Sequence, residues 1–228
     1  KFFQNHGLFK LKNRPQWYTV SKRSRTYVEK IISKISGEYF KNYRINKIKS
    51  RDHGVDLYYG GNNEFFGYDK VIIATHADEA LAMIENPSDL EKETLSNFSY
   101  KKNIAYIHTD QSVMPENKKA WCSWNSSMKK NEIEKNSITY WLNLLQNLEC
   151  EENIFLTLNP YFKIEESKIL KKVKFTHPYF DQSALDYQSK LKNLQNKRNI
   201  LFCGSYFGYG FHEDGIKSSI EMLKNLND

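Results

Sequence analysis

The chain is poor in the features that most often announce a function. Its three cysteines, Cys122, Cys150 and Cys203, are odd in number and contain no CxxC pair. That spacing argues against a disulfide framework and a cysteine-built metal centre, and it fits a reducing cytoplasm. No apolar run approaches the ~18 residues of a membrane span, and no basic segment followed by an apolar one marks a signal peptide. Wording for a Ser-His-Asp hydrolase, an HExxH protease, a P-loop or an EF-hand is absent. A GxGxxG turn after a strand is also absent, so these residues lack the cradle that binds a dinucleotide pyrophosphate.

What is there describes a folded chain. It has 228 residues, 39% hydrophobic and 14% aromatic, enough for one large or two small cores and too apolar for disorder. The formal charge is +7. Basic residues recur at Lys22-Arg23, Lys101-Lys102, Lys118-Lys119, Lys129-Lys130 and Lys168 to Lys174. This dispersal reads first as a solvated surface and second as attraction to an anionic membrane surface. Without zinc-finger, RNP or helix-turn-helix wording, nucleic acid is not expected as a partner.

The rest of the chain is organised around NILFCGSYFGYGFHEDGIKSSIEMLKNLND, residues 199–228. Ile200, Leu201 and Phe202 form a short apolar run, the pattern of a strand buried on both faces. Gly204 ends it and a loop of glycines and aromatics follows. From His212 or Glu213 the apolar residues Ile216, Ile220, Leu223 and Leu226 recur at helical spacing. Strand, glycine-rich crossing and helix place free N–H groups of a first helical turn beside a loop that backbone can approach closely. The acidic pair Glu213-Asp214 also suits the helix dipole, with or without a ligand.

This stretch resembles the C-terminal segment of the flavin-containing amine oxidase superfamily. The phrase FCG-x-x-FGYGFHEDG is similar to that of a bacterial subgroup of NAD/FAD-binding amine-oxidase-like proteins. The resemblance matches Gly204 to the strand-end glycine and Asp214-Gly215 to the acidic–glycine pair. It implies FAD as cofactor, held here by Gly204, Ser205, Gly210, Phe211, His212, Glu213, Asp214 and Gly215, with no metal. At Glu213 the contact with the flavin edge would be the backbone N–H rather than the carboxylate.

Earlier segments extend the likeness. FFQNHGLFKLKNRPQWYTV, which includes His6-Gly7 and Trp17, precedes a helix expected from Ser24 to Ile35, with Ser24 as its cap and Tyr27, Val28, Ile31, Ile32 and Ile35 as its apolar face. Lys22-Arg23 stands where the family commonly has a glycine pair. Short strands are expected between Tyr43 and Phe66, turning at Gly60-Gly61-Asn62-Asn63. The segment YDKVIIATHADEAL then gives a strand, His76 and a helix from Asp78 to Ile84. A helix over 87–97 and a strand over 101–108 follow, the latter ending in His108. Both His76 and His108 read first as structural histidines. The family often places a flavin-facing lysine near the start of this last strand. Asn103 occupies that position, which argues against amine oxidation. Trp121, Trp124, Tyr140 and Trp141 read equally as cavity lining or as core. A strand over 168–177 and a helix from Asp181 to Leu194 lead back to the final unit.

The resemblance implies an α/β flavoprotein of the FAD/NAD(P)-binding, glutathione-reductase-like two-domain type. The chain would be a C-terminal fragment of it, with a mixed-sheet substrate domain. Residues 1–80 would hold the substrate-domain entry, the crossing helix and a return strand of the FAD domain. Residues 81–195 would be the substrate domain, and 196–228 the C-terminal FAD-binding strand, loop and helix. The implied activity is FAD-dependent oxidation or reduction, with hydride passing between a substrate carbon and flavin N5. His212, Asn103, Tyr206 and Tyr209 are the candidate catalytic residues, and a fatty acyl chain is the favoured substrate. Expected partners are a small-molecule or lipid substrate, an N-terminal FAD-binding segment and an anionic membrane surface contacted peripherally from the cytoplasm. The other reading is a non-catalytic remnant that binds a lipid or a partner protein.

Overall fold

The computed structural model describes residues 10, 12, 16, 18–61, 64–129 and 132–226. His6-Gly7, Trp17 and the Asn62-Asn63 half of the expected turn lie outside them. Contacts divide the chain into a unit over residues 1–42 and a larger one over residues 43–228.

The described part of the first unit is built on helix α1, Ser24–Ile32. Its N-cap is Arg23 rather than Ser24, without a side-chain cap. Lys22 and Arg23 have φ of 59° and 70°, the left-handed region that glycine enters without strain. The pair therefore holds a backbone shape that glycine adopts more easily, with two side chains attached. No residue of α1 is buried, and Val28 and Ile31 are exposed.

The second unit opens with an antiparallel meander of β1 (Ile45–Arg51), β2 (Gly54–Tyr59) and β3 (Glu64–Tyr68). Gly54 turns the first hairpin at φ 120°, where a Cβ would strike the Tyr68 carbonyl. The chain continues into β4 (Val71–Ile73), helix α2 (Ala77–Met83) and helix α3 (Asp89–Leu95). Helix α3 starts at Asp89 because Ser88 and Glu91 form a reciprocal capping box. An antiparallel sheet of order β6-β7-β8-β5-β9 follows, from β5 (Ser99–His108), β6 (Trp124–Lys129), β7 (Glu132–Trp141), β8 (Phe155–Leu158) and β9 (Ile169–Tyr179). A short helix α4, Leu142–Gln146, connects β7 to β8.

The helix expected over 181–194 divides. Helix α5 runs Gln182–Gln188, capped by Asp181, and Leu191–Leu194 is a 3₁₀ turn. In that tighter geometry residues three apart align, so Leu191 and Leu194 both reach the core, where they are 0% and 1% exposed. Strand β10 (Ile200–Phe202) then pairs in parallel with β4, and helix α6 (His212–Leu223) closes the chain. Ile200 and Phe202 join Ile48, Val55, Ile73, Leu95 and Phe98 in the main core, whereas Leu201 packs with Cys203 and Met222 under α6. Burial on both faces accounts for the uninterrupted apolar run of β10.

The five-stranded sheet has a polar line in its interior. His108 is fully buried; its Nδ1 accepts from the Asp110 N–H at 3.2 Å and its Nε2 lies 2.8 Å from Thr157 Oγ1, which meets Thr139 Oγ1 at 2.9 Å. A backbone N–H can only donate, so Nδ1 is the acceptor and the proton sits on Nε2. The imidazole is neutral, and burial lowers its pKa against the opposing field of Asp110. A folded-state pKa below the unfolded one gives stability that is full above about pH 6.5 and is lost as pH falls toward the folded value. Thermal melts from pH 7 to 5 should therefore show Tm falling, with a flatter slope in His108→Gln. Equal slopes would show that His108 is not the titrating group.

Candidate functional site

β4 and β10 run in parallel with Ile73 opposite Phe202, so both strands end at one edge. Open α/β sheets bind ligands at such carboxyl ends. From β4 this edge receives Thr75, His76 and the start of α2; from β10 it receives Gly204, the aromatic loop and the start of α6.

Hydrogen bonds fix the loop to the helix. Gly204 N donates to Ser218 Oγ at 2.9 Å, and that hydroxyl donates to Gly215 O at 2.7 Å. Gly208 N and Gly210 N both donate to Ser205 O at 3.1 Å. Gly210 has φ 90°, and a Cβ there would press on the Phe180 ring at 3.1 Å. Asp214 Oδ2 accepts from Tyr209 N at 2.9 Å and Phe211 N at 3.0 Å. A side chain at Gly208 would overlap the Asp214 carboxyl group. Asp214 thus acts through its side chain as a loop clasp.

The helix start itself remains open. The first helical bond of α6 is Gly215 N to Phe211 O at 3.2 Å. Among the described residues, no group accepts from the N–H of His212 or Glu213, while the Asp214 N–H is turned to the Phe211 side chain. A Cβ at Gly215 would meet nothing nearer than Ser205 N at 4.0 Å. Glu213 pairs through its carboxylate with Lys217 at 3.4 Å, a surface contact of little weight.

The structure brings Gly204, Ser205, Gly210, Phe211, His212, Glu213, Asp214 and Gly215 into this one strand–loop–helix unit. It separates the candidate catalytic residues. Tyr206 turns inward, 2% exposed, with its ring 5.4 Å from Phe98 and its hydroxyl without a partner among the described residues; burial raises its pKa. A tyrosine held in the core cannot meet Tyr209 over a ring, and Tyr209 is 53% exposed. His212 is exposed at the first position of α6.

Asn103 is committed elsewhere. Its Nδ2 donates to Lys101 O at 3.0 Å and lies 3.2 Å from His177 Nδ1, while its Oδ1 accepts from Asn159 Nδ2 at 2.7 Å. Both ends of the amide are used to join β5, β9 and the end of β8. No hydrogen bond or ring contact among the described residues connects it to His212 or Tyr209.

His76 stacks on Tyr100, with ring centres 4.2 Å apart and planes 16° from parallel, and its Nδ1 lies 3.4 Å from Thr176 Oγ1. Tyr100 in turn accepts the Ala77 N–H at 2.8 Å, and burial pushes its pKa up to about 12. His76 is thereby held at the strand edge by its neighbours. Sequence reasoning missed a cavity of about 650 Å³ beside Thr75, between β1 and α2, with Arg44, Asn46, Glu79 and Met83 in its walls. Its one sequence signal was the strand-ending phrase that contains Thr75; the Arg44 side of it comes from another element.

The aromatics of 120–141 divide by face. Trp121 packs edge-on against Trp141 and Phe155 at 5.2 and 5.7 Å. Trp124 meets Tyr140 at 6.0 Å and is 53% exposed. Strand register puts Trp124, Ile138, Tyr140, Leu156 and Leu158 on one side of the sheet.

No protein-family model matches this sequence, and no curated protein matches it. Solved structures do match in fold. A CLA-producing fatty acid isomerase from P. acnes aligns with a TM-score of 0.61 at 14% identity, over 88% of this chain and 51% of that one. Putrescine oxidase bound to putrescine aligns with 0.61 at 9% identity, over 91% and 53%. Cyclohexylamine oxidase from Brevibacterium oxydans aligns with 0.52 at 8% identity, over 81% and 49%. The chain spans about half the length of these proteins. Its mixed α/β fold is that of the C-terminal half of amine-oxidase-like structures. No helix among the described residues is long and apolar enough to cross a membrane.

Proposed function

We propose that this chain forms the flavin-facing half of an FAD-dependent oxidoreductase acting on a fatty acyl chain. The carrying observation is the shared carboxyl edge of β4 and β10, beside which α6 opens with the N–H groups of His212 and Glu213, which have no acceptor among the described residues. The residues fit the cofactor there. The N–H groups of His212 and Glu213 would hold the ring edge where negative charge develops. Gly215, with no side chain and open space before it, would let that edge lie against the first turn. The cavity beside Thr75 leaves room for a further part of the cofactor, with Arg44 as a cation at its wall. Bound FAD would supply the two-electron chemistry that side chains lack.

His212 is the chain's own group for moving a proton at the substrate. It is exposed beside the helix start, and an imidazole nitrogen can accept or donate a proton. Two observations favour an acyl chain over an amine. Asn103 replaces the family's lysine and has its amide fully engaged. The open sheet face of Trp124, Ile138, Tyr140, Leu156 and Leu158 suits a long apolar substrate.

The test is stopped-flow absorbance of the purified natural protein, mixed without oxygen with unsaturated or methylated phospholipid and with a panel of amines. Lipid should bleach the flavin band, about 10²-fold or more slowly in His212→Ala. Rapid bleaching by amines that survives His212→Ala would overturn both the substrate class and the role of His212. A protein that takes up no flavin on reconstitution would leave the non-catalytic binding reading.

A further inference from the structure

β9 is an outer strand of the five-stranded sheet, and its side chains alternate between faces. Lys172 and Lys174 share one face and are exposed, and Leu170, at the bulge that precedes Lys171, is exposed as well. Register sets Lys174 opposite Ile104 and Lys172 opposite Tyr106, and it sets Lys102 on the same face, diagonal to Lys174. Lys172 Nζ lies 5.1 Å from the centre of the Tyr106 ring. Among the described residues, Lys102, Lys172 and Lys174 have no carboxylate partner, whereas neighbouring Lys168 is paired with Glu165 and Asp110. Beside them, Pro160, Phe162, Ile164 and Ile169 wall a hollow of about 360 Å³, with Lys163, Lys172 and Glu166 also lining it.

We propose that this face of β5 and β9, with the adjoining hollow, docks on an anionic phospholipid bilayer. Lysines on an outer strand also discourage edge pairing. That reason does not require Lys102, on β5, to share a face with Lys172 and Lys174. Nor does it account for Leu170, 59% exposed beside the lysines, or for the apolar hollow. Cations at headgroup level, with an exposed aliphatic side chain and an apolar recess next to them, match the two layers of a bilayer surface. Nucleic acid is the poorer fit, since single strands need open ring faces for stacking and the Tyr106 face is occupied by Lys172.

Flotation with vesicles tests this. The protein should bind vesicles of phosphatidylcholine mixed with phosphatidylglycerol, not phosphatidylcholine alone, and salt should release it. A lysine near an anionic surface is worth about fivefold in affinity, so Lys102→Gln, Lys172→Gln and Lys174→Gln together should weaken binding on the order of a hundredfold. Leu170→Asp should weaken it as well, with an unchanged thermal melt as evidence of folding. A control triple at other exposed lysines, Lys34→Gln, Lys49→Gln and Lys119→Gln, should lose much less. The proposal is overturned by equal loss in the two triples, by indifference to lipid charge, or by tighter retention on single-stranded DNA than on anionic vesicles at the same salt. Flavin content has no part in the readout, so this result stands apart from the oxidoreductase reading.

Discussion

Gly215→Val should leave the natural protein folded and strip it of flavin. The helix has room for the new side chain. A Cβ at Gly215 has Ser205 N as its nearest neighbour at 4.0 Å, so valine meets no packed atom at its first carbon. Glycine is also the poorer helix former, by a few tenths of a kcal/mol relative to valine. Ser218 and Ser219 bond to the Gly215 carbonyl, which the substitution retains. The loss of flavin follows from the proposed contact. Branched methyl groups would stand where the ring edge must approach the N–H groups of His212 and Glu213. Visible flavin absorbance per mole of purified protein should fall at least tenfold, with the far-ultraviolet dichroism and melting temperature little changed. Equal flavin content and an identical spectrum would show that the first turn of α6 does not face the cofactor.

Part of this site was legible in the sequence because its signals are local. The strand ending at Gly204, the aromatic loop and the acidic helix start follow one another within fifteen residues, and each has a pattern of its own. Asp214 reads there as an acidic helix start and a cofactor residue; its clasp on Tyr209 and Phe211 comes only with the structure. What failed was the direction of single side chains in a loop without periodicity. The 3₁₀ turn Ser205–Phe207 rotates Tyr206 into the core beside Phe98, and nothing in the string SYFGYG distinguishes it from Tyr209. Asn103 was placed correctly on its strand, but its partners are His177 and Asn159, 74 and 56 residues away. Such pairings exist only once β9 and β8 flank β5. The same distance conceals the cavity beside Thr75, whose walls come from β1 and α2. At Lys22-Arg23 nothing in the residue types announces the positive φ values that both adopt.

Arg198→Met should cost about 3 kcal/mol of stability. Arg198 Nη1 donates to Glu91 Oε2 at 2.9 Å and to Asn86 O at 3.0 Å. The same Glu91 oxygen accepts from Ser88 N at 2.6 Å and Ser88 Oγ at 2.8 Å, and Glu91 is 2% exposed. Removing the guanidinium leaves a buried carboxylate without its cation and a carbonyl without its donor. Breaking such a pair costs about 3–5 kcal/mol, and the partial exposure of Arg198, 31%, puts this one at the low end. For a chain of this size the fall in Tm should be about 6–12 °C. Adding Glu91→Gln should recover about 1 kcal/mol or more, because a neutral amide can still accept from Ser88 and no longer needs a cation. A Tm within about 2 °C of the parent for Arg198→Met would mean that the pair carries little of the fold. Its position makes that outcome consequential. Arg198 immediately precedes Asn199, whose carbonyl accepts the Val71 N–H at 3.0 Å where β10 meets β4. The buried pair therefore fastens α3 to the register of the two strands whose ends build the site, and loosening it should lower flavin retention in the natural protein along with Tm.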